Sequence, residues 1–148
     1  MWIAIAAAAL LLILSRSARG RSTRDEPLES NNLDWKVIAF ADAIAFAEGY
    51  FRTDYATLTQ RLNNPCALKD PITGEMRSFA TPADGWAAGQ RQARLMLTGT
   101  SSVYGLDWTF AQVAYKYTGN DSPDSWAVNV TDRLGISTAH TLRDWAEL

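Results

Sequence analysis

The chain has 148 residues, 47% of them hydrophobic and 20% charged, with a formal net charge of −2. That length fits one domain, and the composition excludes a disordered tail, a collagen-like fibre and a low-complexity linker. The small net charge gives no bulk attraction for nucleic acid, and no nucleic-acid partner is expected. A single cysteine, Cys66, excludes an internal disulfide framework and a multi-cysteine zinc site. A single histidine, His140, excludes a His-rich metal centre, so neither metal nor cofactor is expected. Six Trp, five Tyr and five Phe fit core packing or a carbohydrate groove.

Residues 1–14, MWIAIAAAALLLIL, carry no charge. As a helix they span about 21 Å, against about 30 Å for a bilayer core. Three readings compete: a signal peptide, a buried helix and a membrane anchor. A signal peptide would have a basic stretch before the apolar run, which is missing. The anchor is favoured, because Arg16, Arg19, Arg21 and Arg24 follow at once and suit lipid headgroups. Residues 15–32 are polar, charged and aperiodic, and read as a tether. Residues 33–148 form the expected folded domain. Residues 1–24 hold four arginines and no acid, whereas 25–148 hold ten basic and sixteen acidic side chains.

The domain is expected to be mainly helical. Apolar residues dominate from Asp34 to Ala47, and Gly49 suits the left-handed position that ends a helix. Turn signals fill the stretch from Asn63 to Ala80, with a small β-hairpin expected over Ile72–Arg77. Thr81-Pro82-Ala83-Asp84 starts a helix that Gly99 can end. Thr109 and Gln112 form a capping box for a third, closed by Gly119. Ser122-Pro123 starts a fourth, carrying Trp126, Val130 and Leu134 before Gly135. A short last helix holds Leu142 and Trp145.

One carboxylate falls in an unusual place. Ile44, Ala41, Phe40 and Val37 lie four, seven, eight and eleven residues before Glu48, on one apolar helix face. Glu48 thus stands at the edge of a core-facing stripe, one residue before a helix stop. Desolvation and the negative end of the helix dipole both disfavour its charged form. A carboxyl that keeps its proton near neutral pH suits a general acid. The alternative is a glutamate that ends the helix and turns its carboxylate to water.

Several segments then follow in a telling order. They are Ile44-Ala45-Phe46-Ala47-Glu48-Gly49-Tyr50-Phe51, Arg61-Leu62-Asn63-Asn64-Pro65 and Phe79-Ala80-Thr81-Pro82-Ala83-Asp84-Gly85-Trp86. Trp108-Thr109-Phe110-Ala111-Gln112-Val113-Ala114 and Trp126-Ala127-Val128-Asn129-Val130 come after them. Over roughly residues 35 to 142 the chain resembles the lysozyme-like, lytic-transglycosylase-like domains of phage and bacterial cell-wall proteins. The resemblance implies an α+β lysozyme-like fold and cleavage between N-acetylmuramic acid and N-acetylglucosamine. It also implies Glu48 as the catalytic acid and peptidoglycan glycan strands as the partner. A phage virion protein that breaches the wall, held at a membrane through residues 1–14, is the setting it suggests. The family pattern Asn-Pro-Gly-Asn-Leu reads Asn64-Pro65-Cys66-Ala67-Leu68 here. Cys66 in place of glycine is expected to strain the turn, and Ala67 in place of asparagine removes a polar group.

Glycosidases with two carboxyls hold them about 5–5.5 Å apart when retaining and about 6.5–9.5 Å apart when inverting. Asp54, Asp70 and Glu75 are the candidates for a second acid, and each is better read as a loop or turn residue. A transglycosylase needs one acid. It protonates the leaving oxygen, the substrate N-acetyl group assists, and the acid then takes the proton of the muramic 6-hydroxyl. By analogy, Asn64, Tyr117, Phe79 and Tyr50 are candidate substrate-binding residues, each with a packing or turn alternative. Trp86 and Trp126 read as core. Cys66 has no positioned histidine, which argues against thiol catalysis. Two other functions stay open: a hydrolytic lysozyme, and a non-catalytic structural membrane or virion protein with the same fold.

Overall fold

The computed structural model describes residues 27–148. The expected anchor at 1–14 lies outside the described residues, as does most of the tether. Among the described residues no helix is long and apolar enough to cross a membrane. The fold is mainly helical. In order come α1 (Pro27–Ala47), α2 (Leu58–Arg61), α3 (Pro82–Leu97), α4 (Phe110–Thr118), α5 (Pro123–Leu134) and α6 (Leu142–Glu147).

Helix α1 begins at Pro27 rather than near Asp34, so the last residues of the expected tether are helical. Proline is well suited to a first helical turn, where its missing N–H is not needed. The stripe anticipated on α1 is buried: Val37, Phe40, Ala41 and Ile44 are at most 2% exposed. They pack into one core with Met96 and Leu97 of α3, Phe110, Val113 and Ala114 of α4, and Trp126 and Val130 of α5. Phe40 meets Phe110 edge to face, with ring centroids 5.5 Å apart, a favoured aromatic geometry. The polar flank of α1 is tied down by ion pairs, Asp34 with Arg94 and Asp42 with Arg133.

Lys36 is fully buried, and its ammonium donates to the Ala146 carbonyl at the end of α6, 3.0 Å away. That carbonyl lacks an intrahelical partner, so the lysine caps a helix terminus. Trp35 and Trp145 meet edge to face beside it. Helices α4 and α6 start side by side. Their N-cap threonines, Thr109 and Thr141, form an antiparallel bridge, and Leu142 N–H donates to the Trp108 carbonyl.

The expected hairpin shrinks to a single bridge, Lys69 to Met76. The Asp70 carboxylate accepts from Ile72 N–H and Thr73 N–H, each at 2.9 Å, and folds the segment into a tight turn instead of two strands. Short helix α2 was not anticipated, although Thr57 and Gln60 cap it reciprocally and had the sequence signature for it.

The turn before this loop packs into a slot on α3. A Cβ on Gly85 would fall 1.8 Å from the Asn63 carbonyl oxygen, and one on Gly89 2.4 Å from Cys66 Sγ. Only glycine lets the two backbones approach so closely. The strain expected at Cys66 is found one residue later. Cys66 does not take a positive φ, while Ala67 adopts a left-handed conformation at φ 50°.

Candidate functional site

The site is built on the end of α1. Glu48 is the C-cap, Gly49 takes φ 72°, Gly49 N–H donates to the Phe46 carbonyl, and Tyr50 N–H to the Ala45 carbonyl. This paired closure needs a left-handed residue, which glycine supplies without strain. It stops the helix so that Glu48 stands where the buried stripe meets open space.

That space is an open cavity of about 370 Å³. Ala47 and Glu48 line it from α1, Leu58 from α2, and Ala67, Lys69 and Met76 from the loop. Tyr117, Asp121, Ser125, Trp126 and Asn129 line the far wall. The cavity therefore joins an apolar rim to hydroxyl, amide and charged groups, a mixture suited to a polar ligand.

Glu48 is half-buried and holds its proton above the ordinary carboxyl range. Desolvation is the largest cause. The Trp126 hydrogen bond and the Lys69 charge pull the other way, and Asp121 adds to the rise. The Trp126 indole N–H donates to Glu48 Oε1 at 2.8 Å. Trp126 is itself only 5% exposed and stacks on Tyr117, with centroids 4.9 Å apart. Tyr117 in turn donates its hydroxyl to the Cys66 carbonyl. Glu48 is thus oriented by a chain of rings anchored on the Asn63–Cys66 turn, and its second oxygen has no hydrogen-bond partner among the described residues.

The expected site residues separate in space. Glu48 and Tyr117 share the cavity. Tyr117 forms wall and support, because its hydroxyl is already spent on Cys66 and burial pushes it well above its ordinary pKa. Asn64 is fully buried: its amide donates to the Leu68 and Arg77 carbonyls and its oxygen accepts from Leu68 N–H. It staples the loop and has no donor left for a sugar. Phe79 carries the Arg77 guanidinium on its face, 4.8 Å from the ring centre, and does not line the cavity. Tyr50 packs edge to face with Phe51 and Trp86, also away from the cavity.

None of the three candidate second acids lines this cavity. Asp54 pairs with Arg52 on the surface, which holds its carboxyl below the usual range. Asp70 is lowered by the backbone N–H of Thr73 and by Ile72. Glu75 lies on the exposed arm of the turn. The acid that does line the cavity is Asp121, in the α4–α5 connection. Nothing in its local sequence, Gly119-Asn120-Asp121-Ser122-Pro123, distinguishes it from an ordinary turn acid. Trp126 did have a signal. Ser125 and Asn129, one turn apart on the same helix, form a polar stripe beside it, marking a face that meets something other than core.

Cys66 is 1% exposed, its Sγ rests 3.5 Å from the Ala41 carbonyl, and burial pushes its thiol up to about 12. A thiol so protonated and enclosed is no nucleophile. Among the described residues no group of His, Cys, Asp and Glu side chains is arranged to hold a metal ion. No protein-family model, curated protein or solved structure matches this chain.

Proposed function

We propose that this chain cleaves peptidoglycan between N-acetylmuramic acid and N-acetylglucosamine, as a lytic transglycosylase with Glu48 as its single catalytic acid. The finer fold we propose is the lysozyme-like one that the sequence resembles. One observation carries the reading: a carboxyl with raised proton affinity stands in an open cavity, fixed through one oxygen by Trp126, with no partner for the other among the described residues. Such a group can hand its proton to a leaving oxygen while its orientation is held by packed rings. The C1–O bond then breaks with assistance from the N-acetyl group. The resulting carboxylate takes the proton of the 6-hydroxyl as that oxygen bonds to C1, leaving a 1,6-anhydro end. Residues 1–14 would hold the domain at a membrane while it samples the wall, a setting consistent with a phage virion protein.

Asp121 favours a second reading, a hydrolytic lysozyme in which that acid directs water to C1. The two products differ by one water. Zymography on peptidoglycan with wild type and Glu48→Gln tests the site, and mass spectrometry of released muropeptides tests the chemistry. Clearing by wild type alone, with anhydro ends, is expected. Reducing ends abolished by Asp121→Asn would establish hydrolysis. Clearing that survives Glu48→Gln would remove the assigned acid. Clearing by neither protein would favour a structural protein with this fold.

A further inference from the structure

The side of α1 opposite Glu48 presents large apolar side chains to the surface. Trp35, Ile38, Asp42 and Phe46 recur at helical spacing along it, and Phe51 and Tyr55 continue the patch beyond the helix end. The five apolar members are between 42% and 58% exposed. They are linked rather than scattered. The Arg133 guanidinium lies over the rings of Phe46 and Phe51, 4.8 and 5.5 Å from their centres, and Phe51 stacks on Trp86. The Arg52 guanidinium covers Tyr55 at 4.6 Å. Five side chains of this size, about half exposed, present on the order of 500 Å², the upper end for the surface of a monomer, where such patches mark contact sites. The three carboxylates that border the patch, Asp34, Asp42 and Asp54, are each paired with an arginine, so their charge does not oppose an apolar contact. Phe46 and Glu48 lie two residues apart, about 200° around a helix, so the patch and the Glu48 cavity face opposite ways.

We propose that this aromatic face rests on a lipid bilayer surface, with the Glu48 cavity directed away from it. The inference rests on the membrane setting proposed above and is independent of the bond that Glu48 cleaves. The occupant is argued from the chain that leads into α1. An uncharged apolar run, 1–14, and four arginines precede the helix, and twelve residues, 15–26, separate that run from Pro27. Fully extended, twelve residues reach at most about 40 Å. A patch tethered so close to lipid needs little affinity of its own, because its contact becomes intramolecular. The side chains suit that place. Trp and Tyr rings settle at headgroup depth, Phe and Ile lie deeper, and arginines lay their stems along the rings while their guanidinium groups stay among the headgroups. A domain lying this way turns its catalytic carboxyl toward whatever stands beyond the membrane.

The test places a polarity-sensitive fluorophore on the full chain at Ile38→Cys, at Phe51→Cys and, as a control on the turn beside the Glu48 cavity, at Glu75→Cys. Cys66 is 1% exposed and does not compete for the label. Thermal melting checks that each labelled chain folds. The chains are mixed with phosphatidylcholine vesicles whose acyl chains are brominated or not. Bromine should quench the probes at Ile38 and Phe51 roughly twofold or more and leave the Glu75 probe unchanged, since a face buried about 5–10 Å into the interface meets the acyl boundary. Adding Ile38→Asp to the Phe51-labelled chain should abolish its quenching while the chain stays on the vesicles. Equal quenching at all three positions, or none at Ile38 and Phe51 on vesicle-bound chains, overturns the proposal. A probe at Ile38 already shielded in buffer also overturns it: shielding that grows with protein concentration assigns the face to a second copy, and shielding independent of concentration assigns it to the chain's own residues 1–26. A chain that does not bind vesicles removes both this contact and the anchor. None of these outcomes touches the cleavage reading, which stands or falls on its zymogram.

Discussion

Replacing Trp126 with phenylalanine isolates what the indole does to Glu48. The ring stays on Tyr117, where the stack now has a centroid separation of 4.9 Å, but the donor 2.8 Å from Glu48 Oε1 is gone. A hydrogen bond to an ionised acceptor contributes about 1.5–3 kcal/mol and one to a neutral acceptor about 0.5–1.5 kcal/mol. The bond therefore favours the carboxylate over the acid by about 1 kcal/mol, against the desolvation that favours the acid. Without it, desolvation acts with less opposition, and Glu48 keeps its proton to higher pH. The basic limb of the cleavage profile, where a general acid is lost, should move upward. Smaller ring volume also costs the fold about 1–3 kcal/mol, which thermal melting separates from the titration. Carbon-13 NMR of the glutamate carboxyls reads the ionisation directly, whether or not the variant turns over. A Glu48 titration that stays in place or moves down would refute the account of how this carboxyl is tuned.

Glu48→Gln should stabilise the fold at neutral and alkaline pH. The folded chain binds this proton more tightly than the unfolded chain, so stability falls as pH rises from the unfolded-state carboxyl value through the higher folded one. Glutamine keeps an acceptor for Trp126 and avoids that loss. The melting-temperature advantage should be full at high pH and vanish below about pH 4, and an advantage largest in acid would contradict the sign. Ala67→Asn and Ala67→Gly should each stabilise the fold by about 0.5–1 kcal/mol, read as a higher urea midpoint at constant slope, because a left-handed alanine is strained by about 1–2 kcal/mol. An unchanged or lower midpoint for both would place the strain elsewhere. Cys66 should resist alkylation in the native chain at about pH 8 and react fully in denaturant. Prompt labelling of the folded protein would show that the slot on α3 opens.

Much of the framework was legible in local sequence, since caps and periodicity are short-range physics. Thr81, Thr109 and Gly135 mark helix ends because a threonine oxygen or a left-handed glycine acts on backbone groups within a turn of itself. The burial of Val37, Phe40, Ala41 and Ile44 follows from spacing alone, and with it the position of Glu48 at the stripe's edge. Asn64 shows the limit: the same amide can hold a sugar or staple a loop, and only the distant Arg77 carbonyl decides between them. Trp126 and Asp121 lie 78 and 73 positions after Glu48 in the chain, and no local rule brings them to it. Tertiary packing of α1 against α5 does so, because a helix face is set by its residues but its neighbour is set by the whole core. The sequence by itself determined which elements form, which face of α1 is buried and which carboxyl stands out. The tertiary structure alone decided what surrounds that carboxyl, because desolvation and charge act through space and not along the chain.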